Sequence, residues 1–405
     1  MRSVRSLPVF QATLLSLLAL IVAPCAFAAK LVTVEQLSQI IVSSQKETDA
    51  EVAKGLSGLQ LTERLSDEKL AALEAELPGT ESRQTLVILA DQAVFLPLPA
   101  REIPDRPAPT IQQQEEIIGK SADYVLTALR HMPNLFARMD TTGYQYSPAG
   151  KQFQTPTTGR VTAYEPMHVV GRSTVTVLYR HGKEVIEKGG RERDRADSPG
   201  AFMTTYGEFG PIFSVIYGDL PKGKLAWGHW VQGQNGLDAV FHFEVPKRAS
   251  HYLIGFCCIY GRPYRGFSAY HGELEIDPSD GTILRVTVVA TVERAPLNQW
   301  GIMVKYGPVE LGGRKYYCPV RSVAVFRTPM PGPIARFPAH DATMPSMYLS
   351  SGRFVPMETQ VNDSVFEDYH LFRAKVQIMP DKKNFLVKPK RSRAAHGSSG
   401  SKDRP

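Results

Sequence analysis

The chain has 405 residues, of which 43% are hydrophobic and 21% charged, with a formal net charge of +7. That charge is unevenly placed: residues 1–28 hold two arginines and no acid, and 380–405 hold eight Lys/Arg against two Asp, so Ala29–Met379 carries −1. A body without basic excess removes the electrostatic reason to expect a nucleic-acid partner.

Arg2 and Arg5 precede an apolar run that ends at Ala26-Phe27-Ala28. This is the pattern of a secretory signal over 1–28, cut after Ala28, and it places the mature protein in the periplasm or outside the cell. The run is short for a bilayer span and carries Pro24, so no transmembrane span is expected after cleavage. Lipidation at Cys25 is the competing reading, against which stands the proline before it.

Residues 29–96 read as a small helical bundle. Thr33-Val34-Glu35-Gln36 and Thr48-Asp49-Ala50-Glu51 match the capping box, and Ser66 and Thr80 stand where further N-caps belong. Four short helices follow, ending near Phe95. Residues 97–109 hold five prolines and read as a linker. Over 110–159 the spacing predicts one helix from Thr110, with Ile111, Ile118, Ala122, Val125, Leu126 and Leu129 on a stripe, followed by a Thr/Gly/Pro-rich loop from Met139.

From Arg160 the hydrophobic period becomes two, and 160–379 reads as an antiparallel β domain of about ten strands. Val175–Glu187 is a hairpin turning at His181-Gly182, and Gly312-Gly313 is a two-residue hairpin turn. RERDRADSPG reads as a charged loop. Phe209, Ile212, Phe213, Ile216 and Tyr217 fall at helical spacing and predict one helix lying on the sheet. Parity pairs Leu225, Trp227, His229 and Val231 with Val245, Phe243, Phe241 and Ala239, which puts His229 on an aromatic face. HYLIGFCCIY has almost no polar face and predicts a strand covered on both sides. In YHGELEIDPSDGTILRVTV, the same parity pairs Ile276 with Leu284 and Glu275 with Arg285, leaving one face apolar and the other polar. The tail 380–405 is polar, basic and aperiodic, and reads as disordered.

The fold expected is therefore α+β: an N-terminal small helical bundle, then a large curved antiparallel β-sheet or half-open barrel with one covering helix. The segments LTERLSDEKL, GRSTVTVLYR, GEFGPIFSVIYGD, FCCIYG, YHGELEIDPSDGTILRVTV and YYCPVRSVAV resemble a family of secreted proteins of unassigned activity from acidobacterial-type soil bacteria, over most of Val32–Arg327. In strand count, strand order and the closing FEDYHLFRAKVQI strand, the β region is similar to the LolA/LolB-like periplasmic lipoprotein carriers. That resemblance implies a curved sheet and covering helix that hold acyl chains; no ligand motif comes with it.

Cys257, Cys258 and Cys318 survive processing, and a disulfide between Cys318 and one of the adjacent pair competes with buried free thiols. Their spacing fits no zinc pattern, and no nucleotide, metalloprotease or hydrolase-elbow motif occurs, so no cofactor or catalytic set is expected. The best expectation is a non-enzymatic protein of the cell envelope that binds or carries a lipid or other apolar ligand, held by Trp227, His229, Phe241, Phe243, Phe209 and Phe213. The helix could equally fill that face and leave a dry core. Two alternatives stand beside it: an envelope protein partner bound by the helical domain, and a hydrolase using Asp368 and His370, which share a face of the last strand.

Overall fold

Four helices form where the capping signals place them: α1 (Val34–Ser43), α2 (Asp49–Ser57), α3 (Asp67–Glu76) and α4 (Thr80–Gln92). The computed structural model describes residues 29–128, 131–147, 165–188, 191–194, 205–259, 262–291, 299–329 and 357–372. The segment 1–28 read as a secretory signal, the basic tail, the segment 373–379 and most of the loop predicted after Met139 lie outside them. Thr33 and Thr48 make both halves of their capping boxes, with Gln36 and Glu51, and Ser66 accepts from the Lys69 N–H. Thr80 is not a cap. Helix α4 borrows one instead: Asp49, on α2, accepts from the N–H groups of Glu81 (3.0 Å) and Ser82 (2.9 Å). Val34, Leu37, Ile41, Val52, Leu56, Leu73, Leu86 and Leu89 form the core of this unit. Two short strands the period did not announce, β1 (Lys30–Val32) and β2 (Leu59–Leu61), pair in parallel beside it.

The rest is an open antiparallel sheet, as expected from the sequence. Its strands are β3 (Leu135–Ser147), β4 (Glu165–Arg180), β5 (Lys183–Lys188), β6 (Arg191–Asp194), β7 (Lys224–Gln232), β8 (Leu237–Val245), β11 (Ala269–Ile276), β12 (Ile283–Thr291), β13 (Gln299–Leu311), β14 (Arg314–Pro329) and β15 (Met357–Leu371). They run in the order β6-β5-β4-β3-β15-β14-β13-β12-β11-β8-β7. The sheet begins earlier than the period suggested, because β3 occupies what reads as helix and loop. Its Thr-Thr-Gly-Tyr stretch holds three β-favouring residues around one glycine and is paired on both sides, by β4 and β15. β6 takes up the start of the expected charged loop. HYLIGFCCIY is a strand, β9 (Leu253–Ile259), but it pairs with β10 (Arg262–Phe267) in a separate two-stranded sheet rather than in the large one. The His181-Gly182 and Gly312-Gly313 turns form as predicted, with all four residues at positive φ.

Both faces of the large sheet are covered. On one lie α5 (Ile111–Ala128) and α6 (Pro211–Asp219), so the covering helix read from Phe209–Tyr217 has a companion. Only part of the predicted α5 stripe faces inward: Val125 is buried and Ile118 packs against the same cluster, while Ile111 and Leu126 are exposed, and Ile117, outside the stripe, is buried instead. On the other face sits the helical unit, through Ile88, Val94 and Phe95 against Tyr144, Met303, Val323, Val325 and Val361. The proline segment between them is strapped down. Trp230 donates to the Pro107 carbonyl (2.9 Å), Arg106 lies over the Trp230 ring, and Arg64 N–H donates to the Pro97 carbonyl (2.8 Å). It is not a free tether.

Phe95 seats directly on Gly301 of β13: a Cβ there would approach the ring to 2.6 Å. Gly301→Val should therefore lift Phe95 and loosen the helical unit, at a cost of about 1–3 kcal/mol. Denaturant unfolding reads the loss, and faster amide exchange in α4 than in β13 locates it.

Candidate functional site

The face under α6 carries most of the residues singled out in the sequence. Phe241, Phe243 and Phe213 are 1–3% exposed and share one apolar cluster with Ile212, Ile216, Tyr270 and Leu274, against which Trp227 packs. Trp227 meets Phe241 edge-on at 5.4 Å. Phe209 is equally buried but belongs to the neighbouring cluster, with Tyr179, Leu135 and Phe366. His229 is on the opposite face. The expected register is shifted, Leu225 pairing with Phe243 and Trp227 with Phe241, and a bulge between Trp227 and His229 reverses the alternation. Trp227 and Trp230 consequently both point to the α6 face, 4.9 Å apart. Gly228 permits this: a side chain there would run into the His242 ring, 2.7 Å from its Nε2.

The opposite face, read as polar and solvated, is a row of charges roofed by the helical unit. From β7 to β15 it runs His229, His242, Glu273, Arg285, Lys305, Arg321 and Asp363, with Asp67, Asp91 and Arg64 contributed from above. The register opposes Glu275 to Arg285 as predicted, but the ion pair goes to the diagonal residue. Arg285 is 3% exposed and gives Nη1 to Glu273 (3.0 Å) and Nη2 to the Val94 carbonyl (2.9 Å). The parity assigned to Ile276 slips by one, since a bulge pairs it with Ile283. Burial opposes ionisation of Glu273, yet Arg285 and then Arg64 hold its carboxyl below its ordinary value. Arg321 binds Asp91 (2.7 Å) and Asp363 (2.8 Å); burial, followed by Asp363, raises the Asp91 carboxyl, and Arg321 opposes that rise by pairing with its charged form. Lys305 pairs with Asp67.

The end of α6 is fixed by a carboxylate that no local motif announces. Asp219 is buried and accepts from the His251 N–H (2.8 Å), the His251 Nδ1 (2.5 Å) and the Tyr270 hydroxyl (2.9 Å). The start of α6 is fixed by Glu184, which accepts from the N–H groups of Gly207 (3.0 Å) and Phe209 (2.8 Å). The partners lie 23 to 51 residues away in the chain, beyond any local motif.

No hydrogen bond or ion pair joins Asp368 to His370 among the described residues. Asp368 sits at positive φ in a bulge of β15 and pairs with Arg138 (3.2 Å), while His370 packs on Phe136. The expected disulfide through Cys318 does not form: Cys318 is a free, wholly buried thiol, pushed up to about 12 by burial. It lies in the Phe366–Tyr179 cluster of the large sheet, whereas Cys257 and Cys258 belong to β9, and their side chains are outside the described residues. Among the described residues no group of three metal-ligating side chains occurs and no helix is long and apolar enough to cross a membrane. A cleft of about 350 Å³ opens beside His242, Glu244 and His271, with Tyr270 and Pro246 in its wall. Comparison with family models, curated proteins and solved structures gives no match to this chain.

Two predictions test this electrostatic layer. Arg321→Met leaves Asp91 and Asp363 without their shared cation and should cost about 3–5 kcal/mol in denaturant unfolding. Asp238, 4% exposed, is pushed up to about 7 by burial, then by Glu275 and Asp277. A carboxyl raised on folding contributes stability that is full below its unfolded value of 3.8 and lost as pH rises through about 7. Thermal unfolding of Asp238→Asn should match wild type at acid pH and exceed it above pH 7.

Proposed function

We propose that the protein is an exported, non-enzymatic binder of a lipid-sized apolar ligand, which it holds on the α6 face with α5 and α6 as a cover. One observation carries the reading. An open sheet turns a continuous aromatic and aliphatic field (Trp227, Phe241, Phe243, Tyr270, Leu274, Val286) toward two helices that belong to neither sheet. Those helices are fixed by separate polar clasps rather than by strand pairing. Glu184 and Asp219 hold the two ends of α6, the Ser121 and Tyr217 hydroxyls join α5 to α6, and Lys120 donates to the Pro278 carbonyl (3.3 Å).

In the described state the helices occupy the field, so ligand entry requires them to move. Exchange of a helix for an acyl chain replaces one apolar contact by another, which keeps its net cost low. The strand count and strand order that resemble lipoprotein carriers point the same way, and the segment 1–28, read as a secretory signal, would supply the compartment. The hydrolase alternative draws no support from Asp368 and His370, which no hydrogen bond or ion pair joins among the described residues. The helical-domain alternative loses its tether, because that unit is docked on the sheet.

The test is native mass spectrometry of protein purified from the envelope, followed by organic extraction and by uptake of palmitate and phospholipid. A stoichiometric lipid-sized adduct or saturable uptake is expected. Ile216→Ala, which opens a cavity at the α6–sheet contact and costs about 2–5 kcal/mol, should increase uptake. A bare polypeptide mass with no uptake by wild type or variant overturns the proposal.

A further inference from the structure

Between Glu244 and Glu273 the chain carries no acidic residue, four Lys/Arg (Lys247, Arg248, Arg262 and Arg265) and six aromatics. This departs from a body whose net charge is −1, and the stretch contains the β9–β10 ribbon, which stands outside the large sheet. A two-stranded ribbon is at best marginally stable alone in water, so what its faces meet decides its role.

One face of the ribbon's base rests on the protein, where Ile254 is buried against Ala290 and Trp300. The register sets Leu253 opposite Phe267 and Gly255 opposite Arg265, all on the other face. That face is turned outward: Phe267 is 49% exposed, and Gly255 and Arg265 are exposed as well. Tyr206, 40% exposed, joins it by donating to the Leu253 carbonyl (3.5 Å), and the His251 ring stands 6.0 Å from that of Phe267. Exposed Phe and Tyr beside arginine, in a stretch without a carboxylate, match a bilayer interface. There aromatic rings settle at headgroup depth while cations meet anionic headgroups.

The base of the ribbon is also tied to α6. The Ser268 N–H donates to the Tyr252 carbonyl (3.1 Å), and Asp219, the last residue of α6, holds His251, two residues before β9. Pairing of Tyr270 with Val245 and of Ala269 with Thr291 brings the ends of β8, β11 and β12 to the same place, around the cleft beside Pro246.

We propose that the outward face of the β9–β10 ribbon, with Tyr206, Arg265 and Phe267, is a docking surface for an anionic phospholipid bilayer. The ribbon lies at the interface without spanning it; Phe267 and Tyr206 enter the headgroup region and Arg265 meets lipid phosphate. Docking sets the last turn of α6 at the lipid surface, beside the face assigned to an apolar ligand, but it does not depend on that assignment.

The test is co-sedimentation of the chain from Ala29 to Pro405 with vesicles of phosphatidylcholine, and of an equimolar mixture with phosphatidylglycerol. Wild type should partition to the anionic vesicles alone. Phe267→Ser should weaken that partition by about tenfold or more, as expected for one apolar ring. Arg265→Glu should weaken it by about fivefold or more, the effect of one basic charge at an anionic surface. The basic tail is the same in all three chains, so a loss in the variants belongs to the ribbon, and thermal unfolding checks that they are folded. Absent binding, equal binding to phosphatidylcholine, full binding by both variants, or self-association through these residues in place of vesicle binding overturns the surface. Should the variants fail to fold, amide exchange of wild type on the vesicles decides. Protection of 253–267 supports the surface, and protection confined to 380–405 overturns it. Palmitate uptake is read separately by mass, so the ligand reading and the docking surface can each fail alone.

Discussion

Arg285 is the residue on which the two layers turn. It stands on the polar side of β12, is almost wholly buried, and is satisfied from two directions: by Glu273 on the neighbouring strand and by the Val94 carbonyl just beyond α4. A guanidinium cannot be left unpaired in such a place, because removing one partner of a buried charge costs about 3–5 kcal/mol. The helical unit therefore cannot be an optional attachment. Its Val94 carbonyl, its Asp67 and its Asp91 complete a row of charges that the sheet alone leaves unfinished. The apolar contacts of Ile88, Val94 and Phe95 supply the burial, while the ion pairs fix where that burial takes place.

The same constraint explains what could be read in the chain and what could not. Alternation shows which residues share a face, and this was enough to give most strands of the β region (not β3 or β6), the Glu275–Arg285 register and the apolar field around Phe241 and Phe243. Alternation does not show what covers a face. The polar side of β11 and β12 reads as solvated, and only the tertiary arrangement reveals that Arg285 and Thr287 are buried there. A one-residue bulge is equally silent. Gly228 looks like any glycine within a strand, yet it moves His229 from the aromatic field to the charged row. The capping boxes at Thr33 and Thr48 were legible because donor and acceptor lie three residues apart, whereas the cap of α4 comes from Asp49, more than thirty residues upstream.

The candidate site divides along the same line. Side-chain type and spacing located the aromatic field and the helix above it. They did not locate the clasps that hold that helix, because Asp219, Glu184, His251 and Tyr270 are brought together by the fold and not by a motif. The cysteines mislead for a related reason. Pairing them from compartment alone ignores that β9 and β14 belong to different sheets, with Cys318 sealed in an apolar cluster.

The two faces are thus held by different physics, and this bears on how a binder of this architecture would open. On the α4 face, cohesion comes from buried ion pairs whose separation exposes unpaired charge, so partial movement there is expensive. On the α6 face, cohesion is apolar contact plus a few hydrogen bonds at helix ends. Apolar contact is non-directional and can be made with another partner of similar shape. Hydrogen bonds to Asp219 and Glu184 can be exchanged for water once the helix shifts, at a net loss of about 0.5–1.5 kcal/mol each, somewhat more where the acceptor is charged. Were the proposed binder to open, it would do so on the α6 side, where cohesion is apolar and exchangeable, because the other face is bolted by charge.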